Sequence, residues 1–430
     1  MKHIILTVAL AMAGVSIAVG AGWPAGYQAV PRPVDDLNGV VDNTPDSIDQ
    51  ARMARPVAGS SRVGDNPVLF LVGNSTMRTG TWGDGRDGMW GWGYFMPDHF
   101  DRSRITVENH ALGGMSSRTF YNKLWADVAA GIRPGDWVMI ELGHNDNGPY
   151  DSGRARASIP GIGEDTLRVV IKETGVEETV LTFGGYMRMM IADVKARGGH
   201  PILVSLTPRN AWDDADSTIV TRVNDTFGLW SRQVAEAEGI PFIDLNDISA
   251  RKYEHFGKDK VKSQMFYKDR IHTTEWGARV NAESAAEGLR LAKDVELAQY
   301  LLPVVEPTRP TDKPITFIIG NTDIKAKGKN LVRVIAPGYT ERRFIESGKW
   351  DRVYSLLRPG DTVVVNFNDV DDVTLDDDTR PGAMLDDASG EHSRIVRQKP
   401  SRRCRVIYPR SWYRAKFAQD TAEKGATLAE

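Results

Sequence analysis

The chain has 430 residues, with 54 Lys and Arg against 57 Asp and Glu, which leaves a formal net charge of −3 at pH 7. So balanced a charge argues against a nucleic acid or an anionic membrane surface as partner, because both favour strongly basic proteins. Hydrophobic residues make up 41% of the chain, which is enough for at least one full-sized core. Cys404 is the only cysteine, so stability has to come from packing and not from disulfides within the chain.

The first residues have the pattern of a secretory signal peptide. Lys2 and His3 precede an apolar run over 4–19, and small residues follow it. The alternative is a membrane anchor, but a spanning helix needs about 20 apolar residues and this run is shorter. The pattern predicts a signal peptide over 1–21 and a secreted or periplasmic protein that is not inserted in a membrane after cleavage. Residues 22–66, rich in Pro, Gly and Asp, are expected to form a linker or an arm.

From Pro67 onwards, short apolar runs alternate with helical patterns. The runs that predict strands are Val68–Val72, Ile105–Glu108, Trp137–Leu142, Pro201–Leu206 and Pro241–Leu245. The helical patterns are Phe120–Gly131, Tyr186–Arg197, Asn224–Glu238 and Glu275–Lys293. This alternation is typical of βαβ units and a parallel sheet. It predicts an α/β protein with a three-layer α/β/α sandwich, whose ligand site lies at the carboxyl ends of the strands.

A serine follows the first predicted strand, and an Asp–His pair precedes the last predicted helix. Ser75 comes directly after Gly73-Asn74, so it should lie at the carboxyl edge of the sheet. Asp269 lies three residues before His272 and can accept the proton on the ring Nδ1, which leaves Nε2 to take a proton from a serine. Taken alone, each segment is more often structural, as a turn after a strand or the start of a helix.

Two further segments could supply hydrogen-bond donors to a reacting oxygen. Gly114 follows the second predicted strand, and Asn145 follows the third. The backbone N–H groups of Ser75 and Gly114 and the side-chain amide of Asn145 could together form an oxyanion hole. With these donors beside Ser75, Asp269 and His272, the sequence predicts acyl transfer through a serine nucleophile.

These segments resemble the four blocks of the SGNH (GDSL) hydrolase superfamily, and more closely those of its rhamnogalacturonan acetylesterase-like branch. The resemblance covers about Val68 to Leu291 and includes the following motifs: Ser75-Thr76-Met77, Gly91-Trp92-Gly93, Gly114 with Ser116 to Arg118, Gly143-His144-Asn145-Asp146, Thr182-Phe183, Thr207-Pro208-Arg209-Asn210 and Asp269-x-x-His272.

The resemblance implies a flavodoxin-like sheet, with Ser75 as nucleophile, His272 as general base and acid, and Asp269 as the residue that orients His272. It also implies an oxyanion hole made by Ser75, Gly114 and Asn145. The substrate class that it implies is acetylated pectic polysaccharide, and neither a cofactor nor a metal is expected.

Asn74 departs from the family pattern, which usually has Asp at this position. Asn is nearly isosteric with Asp and keeps an acceptor oxygen, but it lacks the charge. Activity is expected to survive this difference, because the catalytic acid and base lie elsewhere.

The chain carries a partial internal repeat. Phe317 to Thr322 is similar to Phe70 to Ser75, and Arg358-Pro359-Gly360-Asp361 is similar to Arg133-Pro134-Gly135-Asp136. Matches that keep their order along the chain indicate a duplication. The predicted organisation is a catalytic domain over 67–300, a linker over 301–313 and a partial second copy over 314–430.

The second copy lacks the residues that the first uses for chemistry. Thr322 replaces the serine, and Val370 falls near the position of Asn145. No Asp-x-x-His segment follows, since Glu391-His392 has the wrong spacing. The second copy is therefore predicted to be catalytically silent.

Several other residues have plainer interpretations. His110 and His144 lack a third ligand in sequence, so a metal site is not expected. The acidic segment 369–378 lacks the central Gly and distal Glu of a calcium loop. A group of aromatic residues after Ser75 could stack on sugar rings or pack over the site: Trp82, Trp90, Trp92 and Tyr94.

The sequence favours a secreted esterase that deacetylates a plant cell-wall polysaccharide of the rhamnogalacturonan or pectin type, with an acetylated polysaccharide or oligosaccharide as partner. Two alternatives stay open. One is an esterase for a lipid or aryl ester, because the motifs specify the bond type and not the leaving group. The other is a non-catalytic carbohydrate-binding protein.

Overall fold

The computed structural model describes residues 55–80, 88–292, 295–304, 307–325, 330–371, 373–377, 380–399 and 404–429. The predicted signal peptide, most of the predicted arm and Trp82 lie outside these residues. Within the described ranges, no helix combines the length and apolar character that crossing a bilayer requires.

The strands of the described ranges are, in chain order, β1 (Val68–Gly73), β2 (Thr106–Asn109), β3 (Trp137–Glu141), β4 (Thr166–Val170), β5 (Glu177–Leu181), β6 (His200–Val204), β7 (Phe242–Ile243), β8 (Thr316–Gly320), β9 (Leu331–Ile335), β10 (Thr362–Asn366), β11 (Arg394–Arg397), β12 (Cys404–Ile407) and β13 (Thr427–Ala429). The α-helices are α1 (Ser117–Phe120), α2 (Ala126–Gly131), α3 (Phe183–Ala196), α4 (Phe227–Glu238), α5 (Leu245–Phe256), α6 (Lys258–Lys260), α7 (Glu275–Leu291), α8 (Glu341–Glu346), α9 (Lys349–Leu356) and α10 (Arg410–Glu423). Two π-helical turns, Tyr121–Trp125 and Val261–Met265, join α1 to α2 and follow α6.

The first sheet has the strand order β2-β1-β3-β6-β7, and all neighbouring strands are parallel. Counted along the sheet's own strands, this is the 2-1-3-4-5 order of flavodoxin-like folds. β1 is buried along its whole length, as expected for a strand that helices cover on both faces. The predicted flavodoxin-like α/β fold is therefore confirmed.

Alternate side chains of β1 enter two different cores. Phe70 and Val72 pack among the buried side chains of α1 to α4 on one face of the sheet. Leu69 and Leu71 point to the opposite face, where they pack with the small side chains of α7. This period-two alternation, with helices on both sides, is what produces the three layers.

The structure corrects the sequence prediction in two places. The fifth apolar run was predicted to be strand as far as Leu245, but β7 ends at Ile243, because the Asp244 side chain accepts the Asp247 N–H and caps α5. An antiparallel hairpin of β4 and β5 was not predicted at all. Apolar and β-branched residues flank the Thr174-Gly175 turn, which is a hairpin signal that the sequence analysis missed. The hairpin lies outside the main sheet, and its residues are mostly exposed.

Asp136, in the turn before β3, binds Arg62 and the start of β1 through hydrogen bonds. Its carboxylate accepts hydrogen bonds from both terminal nitrogens of Arg62, at 2.7 and 2.6 Å, and from the Val68 N–H, at 2.8 Å. It also accepts the Arg133 N–H at 2.7 Å. Because Asp136 is fully buried, these four donors replace the water that its charge would otherwise need.

The second sheet has the order β9-β8-β10-β13, again with parallel neighbours. β8 holds the place that β1 holds in the first sheet, between the strand that follows it and the strand after the Pro-Gly-Asp turn. In that turn, the buried Asp361 accepts both terminal nitrogens of Arg309, at 2.6 and 3.1 Å, and the Ile315 N–H at 2.8 Å. The contacts of Asp136 are thus repeated in the second sheet.

The second sheet and its helices pack directly on the first domain. The apolar cluster around β8 includes buried side chains of α5 and α7. Around this cluster, Lys260 Nζ lies 2.6 Å from both Asp420 and Glu423, and Arg352 lies 2.8 Å from Glu283. Shared apolar burial and paired charges therefore hold the two sheets in one body.

We expect Asp136→Ala to lower the free energy of unfolding by about 3–5 kcal/mol, because it leaves the buried Arg62 and two backbone N–H groups without their acceptor. Urea unfolding followed by tryptophan fluorescence measures the change. The matched control is Asp312→Ala, which removes a surface pair between Arg358 and a carboxylate that is 96% exposed. Its expected cost is below about 1 kcal/mol, and equal losses in the two variants would contradict the assignment.

Candidate active site

Ser75 lies just beyond the end of β1, at the carboxyl edge of the first sheet. A Cβ on Gly73 would come within 2.9 Å of Met77 Sδ and 3.1 Å of the Glu141 carbonyl oxygen, so close packing favours glycine there. The Asn74 side chain closes the turn, since its Oδ1 accepts the Thr76 N–H at 3.1 Å. Ser75 is 9% exposed, so it is largely enclosed at the edge of the sheet.

The fold brings the Ser75 hydroxyl to the imidazole of His272, although 197 positions separate the two residues. His272 Nε2 lies 2.8 Å from Ser75 Oγ, and His272 Nδ1 lies 2.6 Å from Asp269 Oδ2. A proton on Nδ1 would bond the carboxylate and leave Nε2 as the acceptor for the serine proton. The order and distances are those of a Ser-His-Asp triad.

Asp269 is held as an anion by the loop that carries it. Its Oδ1 accepts the N–H groups of Ile271 and His272 at 2.7 and 2.8 Å. Burial opposes ionisation, but hydrogen bonds from the His272 ring and from these backbone groups outweigh it and lower the pKa of Asp269 to about 2. The carboxylate is therefore charged and able to orient the imidazole throughout the neutral range.

The loop of His272 is fastened to the segment that follows Ser75. The N–H of Trp90 donates to the Thr273 carbonyl at 3.0 Å, and the Thr273 hydroxyl donates back to the Trp90 carbonyl at 2.8 Å. On the other side, Tyr267 N–H donates to the His272 carbonyl at 2.8 Å. These bonds fix the position of the imidazole from both directions.

The loops after β2 and β3 meet at the same edge of the sheet. Leu112 N–H donates to the Gly73 carbonyl at 3.2 Å, which ties the first loop to the end of β1. Asn145 Nδ2 donates to the Met115 carbonyl at 3.0 Å, which ties the second loop to the first. Gly114, beside Met115, has φ +75°, a left-handed conformation that favours glycine.

The three predicted oxyanion donors lie in the loops after β1, β2 and β3. Among the described residues, the backbone N–H groups of Ser75 and Gly114 donate to no acceptor. The Asn145 amide carries two hydrogens and uses one for Met115. Three donors at the edge that holds the serine are what a developing oxyanion requires.

A buried carboxylate lies below the nucleophile. Glu141, at the end of β3, is fully buried and accepts hydrogen bonds from three parts of the site: Thr76 Oγ1 at 3.0 Å, Trp92 Nε1 at 2.8 Å and the Thr207 N–H at 3.1 Å. It thereby joins the serine turn to the loops after β1 and β6. The sequence analysis missed this residue, although a charged residue inside a buried apolar run was a signal that could have found it.

Asp146 performs a similar task in the loop that carries Asn145. It is buried and accepts the Ser117 N–H at 3.0 Å, the Ser117 hydroxyl and the Ser158 hydroxyl at 2.9 Å. Burial raises its pKa to about 6, against the effect of these hydrogen bonds. The contacts hold the loop of Asn145 to the start of α1.

The aromatic residues after Ser75 are part of the core. Trp90, Trp92 and Tyr94 are at most 6% exposed, and Trp90 packs on both Tyr94 and Phe95. The stacking of sugar rings on these three side chains, one of the two interpretations of the sequence, is therefore wrong. Because they are buried beside the Ser75 turn, they support it from below.

The two histidines near the site have protein partners. His110 Nε2 lies 2.9 Å from Glu108, and His144 Nε2 lies 3.2 Å from the Thr207 hydroxyl. In the part of the chain that the structure describes, no group of three or more His, Cys, Asp or Glu side chains is arranged to hold a metal ion. Part of the acidic segment 369–378 falls outside that description.

Comparison with known proteins finds relatives that share this domain. Residues 71–280 match the model of the GDSL-like lipase/acylhydrolase family. A rhamnogalacturonan acetylesterase from Emericella nidulans is 31% identical over 219 residues, which cover 50% of this chain and 82% of that protein. A probable rhamnogalacturonan acetylesterase of Bacillus subtilis, YesY, is 27% identical over 230 residues, which cover 52% of this chain and 92% of that protein.

The chain belongs to the SGNH (GDSL) hydrolase family, in its rhamnogalacturonan acetylesterase-like branch. It is a carboxylic ester hydrolase. The crystal structure of YxiM from Bacillus subtilis is 25% identical, with a TM-score of 0.42, and the match covers 53% of this chain and 56% of that one. The hydrolase therefore spans little more than half the length of YxiM.

We expect Asp269→Asn to lower the kcat of this hydrolase for p-nitrophenyl acetate by about 10³–10⁴-fold with little change in KM, because the amide no longer holds the productive tautomer of His272. The exposed Asp225→Asn is the matched control and should retain wild-type rates. A loss of less than tenfold in Asp269→Asn would contradict the orienting role.

The low pKa of Asp269 also predicts a pH dependence of stability. A carboxylate whose pKa is lower in the folded state stabilises the fold above its unfolded value of about 3.9, and this contribution disappears as the pH falls towards 2. The difference in urea midpoint between wild type and Asp269→Asn should therefore shrink as the pH falls from 5 to 2. A difference that stays constant over this range would contradict the assignment.

Asn74 gives a prediction about the turn itself. Asn74→Asp keeps the acceptor for Thr76 N–H, so kcat/KM for p-nitrophenyl acetate should stay within about tenfold of wild type. Asn74→Ala removes the acceptor, so the turn loses this hydrogen bond. Its kcat/KM for p-nitrophenyl acetate should fall by more than about tenfold. Equal losses in both variants would show that the amide, and not the turn, is what the site needs.

Proposed function

We propose that this chain is a secreted serine esterase that removes acetyl groups from an acetylated plant cell-wall polysaccharide of the rhamnogalacturonan or pectin class. The observation that carries the proposal is the hydrogen-bonded series Ser75–His272–Asp269, with distances of 2.8 and 2.6 Å. The names of the relatives from Emericella nidulans and Bacillus subtilis support the substrate class. The apolar run over 4–19 supports export.

The proposed reaction has two halves. In the first, His272 Nε2 takes the Ser75 proton while Ser75 Oγ attacks the acetyl carbonyl, and the N–H donors of Ser75, Gly114 and Asn145 stabilise the oxyanion. The tetrahedral intermediate collapses, the C–O bond to the sugar breaks, and the sugar oxygen takes the proton from His272. An acetyl group is then bound to Ser75.

In the second half, His272 takes a proton from water, and the hydroxide that forms attacks the acetyl carbon. The second tetrahedral intermediate expels Ser75 Oγ, which recovers its proton from His272, and acetate leaves. The reaction consumes one water molecule for each ester and leaves the enzyme unchanged, so no cofactor takes part in the proposed scheme.

The second sheet is proposed to be a partial, catalytically silent copy of the first. Thr322 follows β8 as Ser75 follows β1, and its hydroxyl contacts the side chains of Asn321 and Asn368. In the strand register, Gly320 faces Asn366 as Gly73 faces Glu141. The position four residues on is Val370, which supplies no side-chain donor where the first copy has Asn145.

Acetate release from acetylated pectic polysaccharide and from p-nitrophenyl acetate tests the proposal. Ser75→Ala should lower kcat by at least about 10³-fold on both substrates, because it removes the nucleophile. Thr322→Ala is the matched control in the second sheet, and wild-type rates are expected for it. Equal rates for wild type and Ser75→Ala would refute the serine mechanism.

The two alternatives give different results in the same assay. A series of p-nitrophenyl esters from acetate to laurate measures acyl selectivity, and kcat/KM should fall as the chain lengthens. A preference for long acyl groups would favour the lipid or aryl esterase. Binding of the polysaccharide without acetate release would favour the carbohydrate-binding protein.

A further inference from the structure

A cavity of about 510 Å³ opens beside the triad and is rich in positive charge. Lys258, Lys262, Lys268 and Arg270 line it, and the acid in its wall is Asp269, which is engaged by His272. This volume lies within the range of about 300–1,000 Å³ that is common for ligand pockets. In a chain of net charge −3, four cations around one cavity are a marked local concentration.

These four cations have no carboxylate partner in the part of the chain that the structure describes. Lys260, which lies near Lys258 on α6, shows the contrast, since it is buried and lies 2.6 Å from both Asp420 and Glu423. Lys260 therefore serves the packing of the two sheets. The exposed Lys258 and Lys262 carry charges that the fold does not use.

Arg209 adds a fifth cation next to this cavity. Burial, and after it the nearby charge of Arg270, lowers the pKa of Arg209. Among the described residues, Arg209 has no hydrogen-bond acceptor, and its Nε is buried without a partner. An anion bound beside Arg209 and Arg270 would offset both the partial burial of Arg209 and the like charge of Arg270.

The backbone holds the two arginines together at the edge of the sheet that carries the triad. Arg209 is in the loop after β6, and Arg270 is in the loop before α7. Asn210 N–H donates to the Arg270 carbonyl at 2.8 Å and joins the two loops. Since Arg270 directly follows Asp269, only the imidazole of His272 separates the cationic cavity from the nucleophile.

The same cavity offers surfaces for a sugar ring. Trp212 and Tyr267 line it. The Trp212 Nε1 donates to Asn210 Oδ1 at 2.9 Å, so its polar atom is satisfied, and half-buried aromatic rings of this kind suit the apolar faces of pyranose rings. The cavity therefore combines cations that can bind a carboxylate with aromatic rings that can pack against a sugar ring.

We propose that the cavity lined by Arg270 and the three lysines, with Arg209 next to it, binds a carboxylate-bearing sugar, a uronate residue of the substrate, next to the acetylated sugar. The two guanidinium groups bind the carboxylate, and the lysines attract the acidic chain. This inference rests on the proposed esterase function and adds to it the residues that distinguish acidic from neutral polysaccharides.

Kinetics on two acetylated oligosaccharides test the subsite, one containing galacturonate and one neutral, such as acetylated xylo-oligosaccharide. In Lys258→Gln/Lys262→Gln and in Arg209→Gln, the ratio of kcat/KM for the acidic to the neutral substrate should fall about tenfold or more, as expected for the loss of a charge-assisted contact. The matched control Lys123→Gln/Lys313→Gln removes two exposed charges elsewhere and should keep the wild-type ratio. An unchanged ratio in the cavity variants would overturn the proposal.

A measurement on the wild-type enzyme keeps the test valid if a variant does not fold. Unacetylated oligogalacturonate should inhibit hydrolysis of p-nitrophenyl acetate competitively, and salt should relieve the inhibition by screening the cations. A neutral oligosaccharide of equal length should inhibit at least tenfold less. Equal inhibition by both would reject the subsite while leaving the esterase in place, whereas a wild type that hydrolyses no ester would reject the proposed function itself.

Discussion

The hydrogen bond between Ser75 Oγ and His272 Nε2 depends on the parallel order of the first sheet. β1 ends just before Ser75, and His272 precedes the helix α7 that covers one face of β1. Because every strand of the sheet runs in the same direction, the loops after β1, β2 and β3 open at one edge. The nucleophile, the base and the oxyanion donors therefore meet without any sequence proximity.

Buried charges keep this edge in place. Glu141 joins the turn of Ser75 to the loop after β6, and Asp146 joins the loop of Asn145 to α1. Each carboxylate is compensated by several donors, so its burial is tolerated, while the loss of one donor would be costly. The cations of the cavity beside the triad are different, because the four that line it are exposed and have no carboxylate partner among the described residues, and the proposed anionic ligand would pair with them.

The two sheets share a supporting contact and differ in the residues at the edge that follows their strands. Asp136 and Asp361 each accept hydrogen bonds from an arginine and from the backbone N–H at the start of β1 or just before β8. The edge residues differ, since Ser75 and Glu141 correspond to Thr322 and Asn366 in the strand register. The supports depend on burial and are needed by any sheet of this kind, whereas the edge residues depend on the reaction alone.

The sequence by itself determined the strands of the first sheet, its fold class and the four segments of the candidate site. Apolar runs and the spacing of Asp269 and His272 are local signals, and local signals can be read from a chain.

Only the tertiary structure decided that Ser75 and His272 are 2.8 Å apart and that Glu141 supports the turn of Ser75 from below. It also decided that Trp90 and Trp92 are core residues, and that the loops of Arg209 and Arg270 are joined, with no carboxylate partner for either side chain among the described residues. These properties arise from contacts between residues far apart in the chain, and burial and charge compensation are set by such contacts and not by spacing.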